Sequence, residues 1–127
     1  MREVAIVGIG QTPVSEHWDR SLLDLAGEAV FAALEDADLP SAEALYAGNM
    51  LAGGLEKQNH LGALIADWVG MRGLEALNVE AACGSGGAAF RMGLMAVASG
   101  EVDSAVIVGV EKMTDSLPAE TTAGLAT

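Results

Sequence analysis

Basic residues are scarce in this chain. It has six Lys and Arg against eighteen Asp and Glu over 127 residues, for a formal net charge of -12. No basic stripe is present to neutralise a phosphate backbone, so nucleic acid is excluded as the expected partner. Cysteine is scarcer still. With Cys83 alone, no internal disulfide can form, and the expected compartment is the cytoplasm. Long apolar runs are missing too. None reaches the roughly 18 residues that argue for a bilayer-spanning helix, so no membrane partner is expected. The opening MREVAIVGIG lacks the charged segment, apolar stretch and cleavage site of a signal peptide. Histidine is limited to His17 and His60, and neither has a second ligand at metal-binding spacing, so no metal is expected. The near-absence of lysine beside so much acid fits either a salt-loving source or an ordinary acidic soluble protein.

What is present is a pattern of apolar strands and amphipathic helices. Hydrophobic residues make up 51% of the chain, which places it among globular proteins. Val4–Ile9 is a continuous apolar run of strand length, broken by GQTP. Ser21 and Asp24 form a capping-box pattern. Leu22, Leu25, Ala26, Ala29, Val30, Ala33, Leu34 and Ala37 then recur at helical spacing, opposite Asp24, Glu28, Glu35 and Asp36. Pro40 closes that helix. Residues 44–51 and 74–79 read as second and third strands, with a short helix near 61–69 between them. Residues 84–99 read as a helix, with Gly100 at its C-terminal glycine position. Residues 104–110 (SAVIVGV) read as a fourth, fully apolar strand. The predicted order is βαβαβαβ, an α/β fold with a mainly parallel sheet covered on both faces. The helix over 84–99 carries a single charge, Arg91, and a helix apolar nearly all round is predicted to be buried on every side. Trp18 and Trp68 are expected as core or interface aromatics, and Met92 and Met95 as packing residues on the buried helix.

Two short stretches invite a chemical reading. GIGQTP follows a predicted strand, but Pro13 stands where the third glycine of a dinucleotide fingerprint belongs, so a tight strand-end turn suffices. VEAACGSGGAAF is the stronger case. A lone cysteine is ordinarily an inert buried residue. Cys83, however, ends a predicted strand and opens a predicted helix, where unpaired N–H groups and the helix dipole favour an anion. A thiol in that position ionises more easily, and the thiolate is the nucleophile. The same N–H groups can hold an oxyanion developing on an attacked carbonyl. Gly84, Ser85, Gly86 and Gly87 leave room for a substrate to approach the sulfur. Glycines in a first helical turn cost about 1 kcal/mol each relative to alanine, which a purely structural helix has little reason to accept.

These residues, followed by SAVIVGVEKMTD, resemble the active-site region of thiolases, in the sterol-carrier-type and archaeal acetyl-CoA acetyltransferase branch. In that family a cysteine at the start of a buried helix is acylated, and a Gly-x-Glu-x-Met-Ser/Thr segment closes the next strand. Gly109, Glu111, Met113 and Thr114 match that segment. The resemblance implies a thiolase-like layered fold, with residues 1–127 as the N-terminal part of its first domain and the remainder of the expected enzyme absent. It implies reversible condensation of two acetyl-CoA to acetoacetyl-CoA and CoA, or thiolysis in reverse, through an acyl-cysteine. Cys83 is then the nucleophile, with its backbone N–H in an oxyanion hole. Gly84, Ser85 and Gly86 bind substrate, and Glu111 and Met113 are structural residues near the site. Acyl-CoA is a substrate, and no resident cofactor is implied. A homodimer or homotetramer is expected, as are a mevalonate-route role and association with a hydroxymethylglutaryl-CoA synthase.

The family's activating histidine and second cysteine have no counterpart here, so these 127 residues alone are expected to be inactive. Glu80-Ala81-Ala82 departs from the asparagines many sterol-carrier-type members carry before the cysteine. The alternatives are another thiolase-fold condensing enzyme, a hydroxymethylglutaryl-CoA synthase or a ketoacyl synthase, or a non-catalytic acyl-CoA- or lipid-binding relative.

Overall fold

The computed structural model describes residues 1–127 as five helices and a three-stranded parallel sheet. In chain order these are α1 (Leu22–Asp36), β1 (Ala44–Gly48), α2 (Ala52–Leu55), α3 (Leu61–Trp68), β2 (Glu75–Val79), α4 (Ser85–Ser99), β3 (Ala105–Gly109) and α5 (Pro118–Leu125). Strand order is β2-β1-β3, with Ala44 aligned to Glu75 on one side and to Ala105 on the other. No helix is long and apolar enough to cross a membrane.

Alternation along the strands sorts the core into two layers. Leu45, Ala47, Val106 and Val108 point to one face, where α1 contributes Leu22, Ala26, Val30 and Leu34 and α3 contributes Leu61, Ile65 and Ala66. Ala44 and Tyr46 point to the other, against Ala89 of α4. The α/β class with a parallel sheet between helices therefore stands. Tyr46 is buried and its hydroxyl donates to Glu75. Burial first, and this partner second, push the Tyr46 phenol up to about 12.

The predicted capping box is present. The Ser21 hydroxyl accepts from the Asp24 N–H at 3.1 Å, and the Ser21 N–H donates to the Asp24 carboxylate at 2.9 Å. That backbone donor, then the Ser21 hydroxyl, holds the Asp24 carboxyl below its ordinary range. Gly100 takes the left-handed conformation that ends α4, as its position predicts.

One expectation gives way. Val4–Ile9 is not a strand. The apolar run pairs with neither edge of the sheet, β2 or β3, and lies outside it with Ile6, Val7 and Ile9 exposed. Helix ends hold it instead. Ile9 N–H donates to Asp36, Arg2 N–H donates to Ala98 O at 2.9 Å, and the Arg2 guanidinium donates to Val97 O and Val102 O. Arg2 thereby supplies the positive charge that the last turn of α4 lacks in its own sequence. The sheet thus has three strands and not four.

In α4, Ser85, Ala89, Gly93 and Ala98 are buried on the face that meets the sheet. Phe90, Met92, Leu94 and Met95 lie on the opposite face, which no element of these 127 residues covers. Trp18 and Trp68 are exposed and half-exposed, outside the core that holds Tyr46.

The contact that sets α4 on the sheet is between backbones. A Cβ added to Gly48 would lie 2.6 Å from Ser85 O and 2.7 Å from Gly86 Cα, so the start of α4 rests directly on the end of β1. Gly48→Ala is expected to destabilise the protein by about 1–3 kcal/mol, since backbone must move to admit the methyl. Urea unfolding checks this, and an unchanged midpoint would contradict the contact. Ser21→Ala, which removes a cap without crowding anything, is expected to cost about 1 kcal/mol in the same assay.

Candidate active site

The three strands end level with one another, at Gly48, Val79 and Gly109. The segments that leave them enclose a cleft of about 390 Å³. Cys83, Ser85 and Gly86 line it after β2, Asn49 and Met50 after β1, and Glu111 and Met113 after β3. Residues more than 60 positions apart are thus gathered at one end of the sheet, where ligands of parallel α/β folds bind. Of the substrate-contacting residues expected from the sequence, Gly84 is not on the cleft wall.

Cys83 is exposed and stands one residue before Gly84, the N-cap of α4, so it precedes the helix and does not open it. The turn that presents it is held hard. Ala82 has φ 50°, in the left-handed region that a side-chain-bearing residue rarely adopts. Ser85, 4% exposed, fixes it there. Its hydroxyl donates to Ala82 O at 2.7 Å and accepts from Ala81 N–H at 2.9 Å. Gly84 N–H to Ala81 O, at 2.9 Å, and Ser85 N–H to Ala82 O, at 3.1 Å, complete the turn. The Ser85 hydroxyl is therefore occupied with the backbone around Cys83.

The N–H groups of Cys83, Gly86 and Gly87 donate to no acceptor within the chain. A Cβ on Gly86 or Gly87 would meet nothing within 4 Å. Packing within the chain does not require glycine at either position. An oxygen on a carbon attacked by the Cys83 sulfur would find hydrogen-bond donors at the start of a helix, where the dipole favours negative charge.

Asn49 is the residue that sequence reasoning missed. Residues 44–51 read as one strand, whereas β1 stops at Gly48 and Asn49 turns the chain. It is 2% exposed and fully employed. Its amide Nδ2 donates to Val110 O at 2.8 Å and to the Glu111 carboxylate, and its Oδ1 accepts from Ala52 N–H at 2.8 Å. Its own N–H donates to Val79 O at 3.2 Å. One side chain and its backbone thus tie the ends of all three strands together. The available signal was a polar, turn-favouring residue following glycine at the end of an apolar run.

Glu111 accepts from Asn49 and also from the N–H groups of Met50, at 3.3 Å, and Leu51, at 3.2 Å. Burial nevertheless raises its pKa, outweighing these donors, which act in the opposite direction. Next to it, Lys112 is buried and paired with Asp115, closing the segment that carries Met113. Neither histidine reaches the cleft. His17 Nε2 lies 2.7 Å from Pro13 O in the N-terminal segment, and His60 precedes α3.

Residues 4–126 match the family described as thiolase, N-terminal domain. The chain is 50% identical over 117 residues to an acetyl-CoA acetyltransferase of Methanothermobacter thermautotrophicus, covering 91% of this chain and 30% of that protein. It is 45% identical over 121 residues to an acetyl-CoA acetyltransferase of Methanocaldococcus jannaschii, covering 94% of this chain and 31% of that one. It therefore spans under a third of the length of these relatives. Among solved structures, 3-oxoacyl-[acyl-carrier-protein] synthase III of Aquifex aeolicus superposes with a TM-score of 0.69 at 19% identity, over 79% of this chain and 32% of that one. That likeness shows a shared fold.

The Glu111 contribution has a definite sign with pH. Its pKa is raised on folding, so the folded state binds more protons there than the unfolded one. Stability from this group is highest below the ordinary glutamate range and falls as pH rises towards the raised value. Glu111→Gln keeps an acceptor for Asn49 and removes the titration. The stability gap between variant and wild type is expected to shift in the variant's favour across that window. Urea titrations at a series of pH values check this, and a gap that does not change with pH would contradict it. Asn49→Ala is expected to cost about 1–3 kcal/mol, because it strips partners from buried backbone and from the Glu111 carboxylate.

Proposed function

Because this chain belongs to the thiolase family, through its match to the N-terminal domain, we propose that it carries the nucleophile of an acyl-CoA C-acyltransferase that condenses two acetyl-CoA to acetoacetyl-CoA and CoA. The observation that carries this reading is an exposed cysteine on a strained turn, beside free N–H groups at a helix start, in a cleft at the strand ends. The acetyl group in particular is supported by the names of the two relatives at 45% and 50% identity.

In this proposal the Cys83 thiolate attacks the thioester carbonyl of the first acetyl-CoA. Negative charge develops on the carbonyl oxygen, and the N–H of Cys83 donates to it. The bond to the CoA sulfur breaks, CoA leaves and takes up a proton, and the acetyl group remains on Sγ. A base removes a proton from the methyl carbon of a second acetyl-CoA. That carbon attacks the acyl carbonyl, the bond to Sγ breaks, and acetoacetyl-CoA is released. No oxidant or reductant is needed. Glu111 and Met113 shape the cleft wall, with Glu111 fastening the segments after β1 and β3 to each other. No histidine lines the cleft, so the base is proposed to come from outside these 127 residues. On its own this portion is proposed to be inactive in condensation.

The wider setting belongs to the same proposal: cytoplasmic location, a homodimer or homotetramer, supply of acetoacetyl-CoA to the mevalonate route and association with a hydroxymethylglutaryl-CoA synthase. A salt-loving source remains part of it, supported by the charge of -12. Support for self-association comes from β2. It is an edge strand with Leu77 42% exposed, open to pairing with another chain.

The test is the intact mass of the full-length protein before and after acetyl-CoA, with peptide mapping. One acetyl group is expected on Cys83 and none in Cys83→Ala. A folded protein that never acylates would replace this reading with a non-catalytic acyl-CoA-binding one. Acylation without acetoacetyl-CoA formation would point to another condensing enzyme of the same fold.

A further inference from the structure

A serine near a helix start ordinarily caps it. From the N-cap position its hydroxyl would accept from the N–H of the second or third helical residue, here Gly86 or Gly87. The N-cap of α4 is Gly84, which makes no side-chain cap, and the serine stands one place later. The Ser85 hydroxyl turns back out of the helix instead, and the Gly86 and Gly87 N–H groups stay unpaired within the chain.

What that hydroxyl holds is a single torsion. It accepts from Ala81 N–H at 2.9 Å and donates to Ala82 O at 2.7 Å. These two atoms lie on either side of the Ala82 N–Cα bond, whose φ is the unfavourable 50°. Backbone bonds close the same turn, and they are open to any residue; the hydroxyl is what the sequence adds. Ser85 is itself a fixed point. It is 4% exposed, and its carbonyl oxygen is the atom nearest a Cβ built on Gly48, at 2.6 Å. The end of β1 thus fixes the Ser85 backbone, the Ser85 side chain fixes Ala82, and Ala82 delivers the next residue, Cys83.

We propose that Ser85 is a positioning residue for acyl transfer to Cys83. It locks the left-handed turn that sets the sulfur beside the N–H groups at the start of α4. Ser85 acts through Ala82 and touches no acyl donor. This role rests on the acyl-transfer reading above, but not on acetyl-CoA as the donor.

The test compares two reactions of Cys83 in the full-length protein. In the first, the sulfur attacks the carbonyl of p-nitrophenyl acetate, the ester C–O bond breaks, p-nitrophenolate leaves and the acetyl group stays on Sγ. This reaction passes through an oxyanion, so it needs the sulfur aligned with N–H donors. In the second, the sulfur displaces iodide from the saturated carbon of iodoacetamide. No oxyanion forms, and the rate reads only thiolate and access. Both are followed at one pH by mass mapping of the Cys83 peptide. Ser85→Ala is expected to lower the acylation-to-alkylation ratio by about five- to thirtyfold, the scale of one left-handed residue left unsupported. Ala82→Gly added to Ser85→Ala is expected to restore part of the loss, because glycine adopts a positive φ without strain. Ala82→Val, with Ser85 kept, sets a β-branched residue against that φ and is expected to lower the ratio too. Circular dichroism confirms that each variant is folded. An unchanged ratio in Ser85→Ala overturns the proposal, as does a loss that Ala82→Gly leaves untouched. Equal slowing of both reactions also overturns it, since the thiol is then merely less accessible. If wild type reacts with p-nitrophenyl acetate but not with acetyl-CoA, the acyl-CoA reading fails and the role of Ser85 stands or falls on the ratio alone. If it takes acetyl from neither donor, both fail.

Discussion

The backbone contact between Gly48 and the first turn of α4 is the constraint on which the site depends. Parallel strands that end level leave three chain segments to be arranged within a few ångströms. Side chains between the end of β1 and the start of α4 would hold the helix off the sheet. Without them the helix begins directly over the strand ends, and its free N–H groups lie beside the turn that carries Cys83. Asn49 then does with hydrogen bonds what Gly48 does with space, tying the segments after β1 and β3 and the end of β2. Ser85 does the same on a smaller scale for the turn at residues 81–85. Packing, polar satisfaction and local strain thus converge on a few residues, while much of the surface is left to charge.

The features legible in the sequence were those decided locally. Ser21 and Asp24 announce α1 because a cap and its reciprocal partner lie three residues apart. Gly100 announces the end of α4 because the left-handed conformation selects glycine. The apolar runs of β1 and β3 and the turn at Cys83 were readable for the same reason, and the parallel α/β arrangement follows from their alternation with helices. Glu111 and Met113, singled out through a family resemblance, line the same cleft as Cys83.

What was not legible depends on distant partners. Val4–Ile9 has every local property of a strand, yet Arg2 and Asp36 hold the segment against helix ends. The uncharged composition of α4 fits a helix covered on more sides than the one face that the sheet of these 127 residues buries. Asn49 looked like the tail of a strand, because the carbonyl, carboxylate and N–H that claim its side chain are supplied partly by residues 110 and 111. Trp68 read by type as a core or interface residue, and it lies outside the core, half-exposed with its indole near Gly27 of α1.

The way the positive charges are used has a consequence for encounter. Four of six are already matched to carboxylates of the same chain, so what a distant molecule meets is an almost uniformly negative surface. Any anion is repelled by that surface during approach, until it reaches the N–H groups at the start of α4. Salt then screens a repulsion and not an attraction, so the encounter of an anion with these residues quickens as ionic strength rises.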